Sequence, residues 1–202
     1  MNYKFYYALL KFIAYNEIDA DGFYCELGEI RGMYKKEAYS TMWNLIDSHD
    51  TPRFLTQAGG DKEKLKLALI LQMTMEGSPV IYYGDEIGME GGKDPDCRRG
   101  MVWDEKKQDR GLLEFYKKMI KIRKDNHVLV DGELEPVYTE GGVYGYKRVK
   151  DKEELYIFIN RDESEFKYEL KGKYEDLISG KRFSKEITVA GKSGVVLKKI
   201  KQ

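Results

Sequence analysis

The chain is short of the groups on which most simple site chemistries depend. Its two cysteines, Cys25 and Cys97, stand in unrelated contexts without paired spacing, which excludes a disulfide framework and a cysteine zinc site. Its two histidines, His49 and His127, make no i, i+4 ligand pattern, so neither a metal nor a cofactor is expected. No charge of one sign prevails: 35 Lys+Arg offset 35 Asp+Glu, which leaves no footprint for nucleic acid or an anionic membrane. No apolar run is long enough to span a bilayer. The opening "MNYKFYYALLKF" lacks a basic segment ahead of its apolar part and makes a poor signal peptide, so the cytoplasm is the expected compartment.

What remains is an ordinary soluble composition of 202 residues, 42% hydrophobic and 35% charged, long enough to bury a sizeable core. Sixteen tyrosines are many for this length. A tyrosine ring suits a sugar surface, but it fills strands equally well, and strand packing is the simpler account.

Periodicity divides the chain. Residues 4–16, "KFYYALLKFIAYN", are apolar all round and predict a buried helix. Residues 21–40 predict another, weakened by Gly28 and Gly32. "TMWNLI" predicts a strand buried on both faces. Residues 61–76 predict a strong helix with Asp61 as cap and Gly77 as stop. "SPVIYY" is the next buried strand, closed by Gly84, Asp85 and Glu86. A Gly-rich segment without regular period follows, the kind of long loop that usually carries function. Helix returns over 109–126, with His127 at its C-terminal end. Beyond Val130 short runs such as "VYGYKRV", "ELYIFIN" and "GVVLKKI" alternate with turn residues and predict an antiparallel β-sandwich. The domain reading is therefore 1–130, with parallel βα units, and 131–202, a small sandwich. Two parallel strands cannot close a barrel alone.

One stretch asks for an explanation. In "NLIDSHDTPR" an apolar run ends by presenting Ser48, His49 and Asp50. Taken alone, "SHDTPR" reads first as a helix start, with Asp50 or Thr51 as cap and Pro52 at the first position. The competing reading is a site at the end of a strand. In "DPDCRR", Asp94 and Arg98 could bracket vicinal hydroxyls or form a surface ion pair of little consequence. Arg53 could reach Asp47 or Asp85 as a strut behind the site. Tyr82, Tyr83 and Trp103 read as core.

"NLIDSHDTPRFLT", "GSPVIYYGDEIGMEGGKDPDCRRGMVW" and "FYKKMIKIRK", in this order, resemble the C-terminal part of the α-amylase family of glycoside hydrolases, within it the neopullulanase, cyclomaltodextrinase and maltogenic amylase group. The resemblance covers nearly the whole chain. It implies an α/β fold: the last two βα units of a TIM barrel, with strand seven in "TMWNLID" and strand eight in "SPVIYYG", followed by a sandwich over 131–202. It implies that Asp50 is the family's transition-state-stabilising carboxylate, that His49 donates to the same sugar, and that Asp94 and Arg98 grip a sugar one or two units away. An α-glucan oligosaccharide is then the expected partner, and a homodimer of the whole enzyme is compatible with it.

One departure qualifies this. The family's nucleophilic Asp and acid/base Glu follow strands four and five, which would precede residue 1. The chain is then expected to be a truncated gene product, a fragment or one part of a split enzyme, inactive without the N-terminal barrel half. A non-catalytic carbohydrate-binding or scaffold protein is the alternative, and an inert remnant a third.

Overall fold

A computed structural model describes residues 1–200. The chain begins with α1 (Tyr3–Leu9), which Asn2 caps by accepting from the Phe5 amide, and continues as a π-helical turn, Leu10–Ala14. Helix α2 (Ala20–Gly32) starts at Asp19, whose side chain accepts from Gly22 N at 2.8 Å. The single helix expected over 21–40 breaks after Gly32, and α3 (Lys36–Tyr39) is a separate short piece.

Strands β1 (Trp43–Leu45) and β2 (Ser78–Val80) pair in parallel, Trp43 opposite Ser78 and Leu45 opposite Val80. Each is only three residues long, shorter than the apolar runs that predict them. Between them lie α4 (Phe54–Gln57) and α5 (Lys62–Thr74). Asp61 caps α5 as its position predicts, accepting from the Glu63 and Lys64 amides. Nine residues of α5 are buried, from Leu65 through Thr74 with Lys66 excepted, because the helix is covered on both sides. The Gln72 side chain donates to Asn44 O of β1 and Val80 O of β2, fastening helix to sheet. Gly77 ends this connection at φ +102°, where a Cβ would lie 2.8 Å from both Asn44 Nδ2 and Met42 O; only glycine fits.

After β2 the Gly-rich segment is irregular as predicted, holding only three short 3₁₀ turns, before α6 (Arg110–Asp125). Asp109 caps α6, and the buried positions Leu112, Tyr116, Met119, Ile122 and Arg123 recur at helical spacing. A short helix, α7 (Val128–Asp131), leads into the sheet.

Six antiparallel strands follow: β3 (Glu133–Glu140), β4 (Val143–Lys150), β5 (Glu153–Asn160), β6 (Phe166–Asp176), β7 (Arg182–Val189) and β8 (Ser193–Lys199), ordered β3-β4-β5-β8-β6-β7. Strand β3 is one that alternation did not reveal. The hydrogen-bonded ladder is a single sheet, where two facing sheets were expected, but it folds over itself. The register of β6 against β7 shifts between Glu169 and Lys173, beside Gly172 at φ +128°. The first half of β6 then swings across the sheet, so that Phe166 lies 4.6 Å, ring to ring, from Tyr138 of β3, four positions away in strand order. The two halves enclose Phe158, Leu170, Ile187, Val189 and Leu197.

The sheet also shares a core with the helical part. One buried cluster runs from Phe5 and Phe12 through α5 to Tyr144, Tyr146, Ile157 and Val196. Arginines reinforce the junction by donating to helix-terminal carbonyls. Arg148 of β4, fully buried, donates to Thr74 O, Leu129 O and Gly132 O. Arg123 of α6 donates to Met73 O, Met75 O and Gly77 O. Arg161 reaches Phe12 O and Ile18 O. Cations at a helix C-terminus meet the negative end of its dipole. Burial pulls Arg123 down to about 10 and lowers Arg148 as well, yet both stay charged at neutral pH.

Candidate functional site

Because β1 and β2 run parallel, the loops after them leave from the same edge of the sheet. The first carries His49 and Asp50, the second Asp94 and Arg98, and the fold brings all four together. Arg98 Nε donates to His49 O at 2.9 Å and lies 3.1 Å from Asp94 Oδ1, while its Nη2 lies 3.7 Å from Asp50 Oδ1. His49 Nε2 is 3.2 Å from Asp50 Oδ1. Each of the four side chains remains roughly half exposed, Asp50 at 55% and His49 at 58%, so the cluster faces solvent instead of being locked inside. A carboxylate and an imidazole presented this way can meet sugar hydroxyls, which both donate and accept.

Asp50 does not cap a helix. Helix α4 starts at Phe54, two residues after Pro52, and the oxygen that accepts its first amide belongs to Asp47, at 2.5 Å from Phe54 N. The Thr51 hydroxyl instead meets Ser48 Oγ at 3.3 Å, and Ser48 Oγ accepts from Asp50 N. Ser48 and Thr51 thus hold the turn, and the Asp50 carboxylate is left outside it.

Two neighbours were not singled out by sequence. Tyr3, at the start of α1, donates its hydroxyl to Asp50 Oδ2 at 3.2 Å and approaches Ser48 Oγ at 3.3 Å. Buried Cys97 points its thiol at His49 O, 3.3 Å away. Two expected core residues are not core: Trp103 is 79% exposed and Tyr83 39%, Tyr83 donating to Arg99 O at 2.7 Å. They sit in the loops around the site, Trp103 almost wholly open and Tyr83 with part of its ring exposed.

Behind the exposed cluster lies a buried charged one. Arg53, with no exposed surface, pairs with Asp85 through Nη1–Oδ1 at 2.7 Å, and its guanidinium stacks on the rings of Tyr82 (4.6 Å) and Tyr83 (5.0 Å). Arg53 therefore pairs with Asp85, while Asp47 serves α4 by accepting from Phe54 N. Burial pushes Asp47 well above the usual carboxylate range and lifts Asp85 to about 7. Among the described residues no group of three or more His, Cys, Asp or Glu could hold a metal ion, and no helix is long and apolar enough to cross a membrane.

The chain is similar to known proteins over most of its length. Residues 1–108 match the model of the alpha amylase catalytic domain, more than half of the 202 residues, and residues 146–199 match the beta-galactosidase C-terminal domain. Neopullulanase 2 of Thermoactinomyces vulgaris is 45% identical over 168 residues, 82% of this chain and 29% of its own. Cyclomaltodextrinase of Thermoanaerobacter pseudethanolicus is 40% identical over 188 residues, 92% of this chain and 33% of its own. The crystal structure of a maltogenic amylase from S. marinus superposes with a TM-score of 0.87 at 32% identity, covering 98% of this chain and 28% of the other. The chain thus spans about a third or less of the length of these relatives. With a parallel βα portion that carries the family's sequence motifs at one edge, and a family model covering more than half of its length, the chain belongs to the α-amylase family.

Proposed function

We propose that this chain acts as the C-terminal portion of a retaining α-glucan-acting glycoside hydrolase, cutting α-1,4 and in some substrates α-1,6 bonds of maltooligosaccharides, cyclodextrins or pullulan. The observation that carries the reading is the convergence of His49, Asp50, Asp94 and Arg98 on one edge of the parallel sheet, where barrel enzymes do their chemistry. Asp50 is the transition-state stabiliser. As the sugar ring flattens towards an oxocarbenium ion, hydroxyls beside the reacting carbon become better donors, and a fixed carboxylate accepts from them more strongly than in the ground state. His49 donates to the same sugar. Asp94 and Arg98 hold a sugar that does not react.

Retention needs a nucleophile and an acid/base roughly 5 Å apart across the scissile bond. The family resemblance assigns neither to a residue of this chain, so the chain is inactive alone and works with the N-terminal part of a barrel as its partner. The surface fits such a partner. Asn2 N already donates to Trp43 O along the outer side of β1, and Tyr7, Tyr15, Met33 and Trp43 are exposed around that side. A cavity of about 580 Å³ opens between α1 and α2, lined by Tyr7, Leu10, Tyr15, Ile30 and Met33 together with charged groups such as Lys11, Glu26 and Glu29.

The second reading, a sugar-binding protein without chemistry, is favoured by one observation: the four groups assemble without help from any other chain. Supplying the upstream barrel portion, as a separate chain or by fusion before Met1, separates the two. Release of reducing sugar from α-1,4 oligosaccharides or cyclodextrins is expected on supply and none before it. Sugar binding with no turnover after supply would favour the second reading. In the active assembly Asp94→Ala or Arg98→Ala is expected to raise KM by about tenfold, with a smaller change in kcat, since uniform binding is what they provide. A change confined to kcat would place them at the reacting sugar instead.

A further inference from the structure

The two loops that carry the site meet on two sides. On the solvent side Arg98 Nε donates to His49 O at 2.9 Å, and the Cys97 thiol reaches the same oxygen at 3.3 Å. Arg98 also lies 3.1 Å from Asp94 and 3.7 Å from Asp50, but these side chains are about half exposed. Water and salt compete there, so such pairs hold little by themselves. On the other side stands Arg53, with no exposed surface. Its backbone N–H donates to Gly91 O at 2.9 Å, and Gly91 N donates to Thr56 Oγ1 at 2.9 Å. Its Nη1 pairs with Asp85 at 2.7 Å. Its Nε and Nη2 are buried without a hydrogen-bond partner, which fits a guanidinium packed against the rings of Tyr82 and Tyr83, 4.6 and 5.0 Å away.

We propose that Arg53 and Tyr83 are positioning residues that hold Asp50 and Arg98 in register with each other, a proposal that rests on the reading of those two as sugar-binding groups. The contacts close a path. From Asp50 the chain runs through Thr51 and Pro52, whose ring fixes φ, to Arg53. The guanidinium supports Tyr83, and the Tyr83 hydroxyl donates to Arg99 O at 2.7 Å. The two residues before Arg99 are Arg98 and Cys97, both on His49 O, next to Asp50.

Two irregular loops left to themselves have many conformations to lose. A buried clasp behind and an exposed one in front remove that freedom together. The fit is close at Gly91, where a Cβ would lie 2.7 Å from Asp96 O and 2.8 Å from Cys97 Cα. The central link needs a planar cation, which gives an N–H to a carboxylate while its face packs on aromatic rings. Lysine would keep the charge and lose the plane. Arg53 is sealed from solvent, so it acts on a sugar only through other groups.

Tyr83→Phe tests the path at its most exposed link. The ring stays on Arg53, and only the hydroxyl to Arg99 O is lost. Backbone hydrogen exchange of the full chain, without sugar, is the first measurement. The Asp50 amide, bonded to Ser48 Oγ, and the Arg98 amide, bonded to Pro95 O, are expected to exchange about three- to tenfold faster, with β3–β8 unchanged. Arg53→Lys is expected to quicken the same amides further, since the ring then loses its support. In the assembly with the upstream barrel portion, Tyr83→Phe is expected to lower kcat and raise KM, each by about threefold. With Asp50→Asn already present the kcat effect should vanish and the KM effect remain. Unchanged exchange at Asp50 and Arg98 in Tyr83→Phe overturns the proposal, as does a loss of kcat that simply adds to that of Asp50→Asn. A rise in KM alone overturns it too, since the ring would then be a surface for sugar. Should Arg53→Lys fail to fold, Tyr83→Phe decides by itself. If the unsubstituted assembly shows no turnover, the glycosidase reading fails and the exchange rates still decide the clasp.

Discussion

Asp50→Asn, made in this chain and assayed together with the upstream barrel portion, is expected to lower kcat on α-1,4 oligosaccharides by about 10²–10³-fold, with little change in KM. The substitution is isosteric. It keeps the Tyr3 hydroxyl within 3.2 Å and leaves Ser48 and Thr51 holding the turn, so the loop should survive. What it removes is the charge that strengthens the hydroxyl contacts as positive charge develops on the ring. Because Arg98 Nη2 also lies 3.7 Å from Asp50 Oδ1, Arg98 loses a neighbour as well. Asp50→Asn combined with Arg98→Ala should therefore cost less than the sum of the two single changes. Steady-state rates of the reconstituted enzyme measure both effects. A reconstituted enzyme indifferent to Asp50→Asn would take the catalytic role away from this loop. Turnover by the chain alone, abolished by the same substitution, would show that a second carboxylate within it completes the pair.

The other large effect concerns the junction of the two parts. Arg148→Met is expected to destabilise the chain by about 3–5 kcal/mol. The guanidinium is fully buried and satisfies three carbonyls at once, Thr74 O at 2.5 Å, Leu129 O at 3.0 Å and Gly132 O at 2.8 Å. Methionine fills much of the volume but leaves three acceptors without donors in a site that water does not reach. Relief of the repulsion between Arg148 and Arg123 offsets part of the loss, which is why the expectation is not higher. Denaturant unfolding followed by tyrosine fluorescence reads the sum. A loss below about 1 kcal/mol would mean that water takes over the carbonyls and that the junction rests on apolar contact alone.

Local patterns carried much of this molecule. The cap at Asp61 and the apolar run of α5 depend on residues within a turn of one another and stand where their spacing places them, whereas α5 ends at Thr74, three residues before the Gly77 expected to stop it. The apolar runs that become the two strands, and the motifs that carry His49 with Asp50 and Asp94 with Arg98, are each contiguous in the chain, although their meeting at one edge joins Arg98 to His49 across 49 positions. Other features depend on partners far away in sequence, and no local pattern contains them. The oxygen that caps α4 comes from Asp47, because the loop returns on itself and leaves Asp50 pointing outward. Tyr3 meets Asp50 across 47 residues only because α1 packs beside β1. The sandwich becomes one folded sheet because Gly172 and the register shift in β6 let a single strand serve both halves. Trp103 and Tyr83, apolar by composition, stay exposed because the loop that carries them lies at the rim of the site. Sequence alone determined the longer helices, which follow from short-range hydrogen bonding and periodicity, and with them the family motifs and the charges available. Only the tertiary structure decided which of those charges are buried and which face solvent at the edge of the sheet, because burial depends on what other elements cover, and that is not written in any one segment.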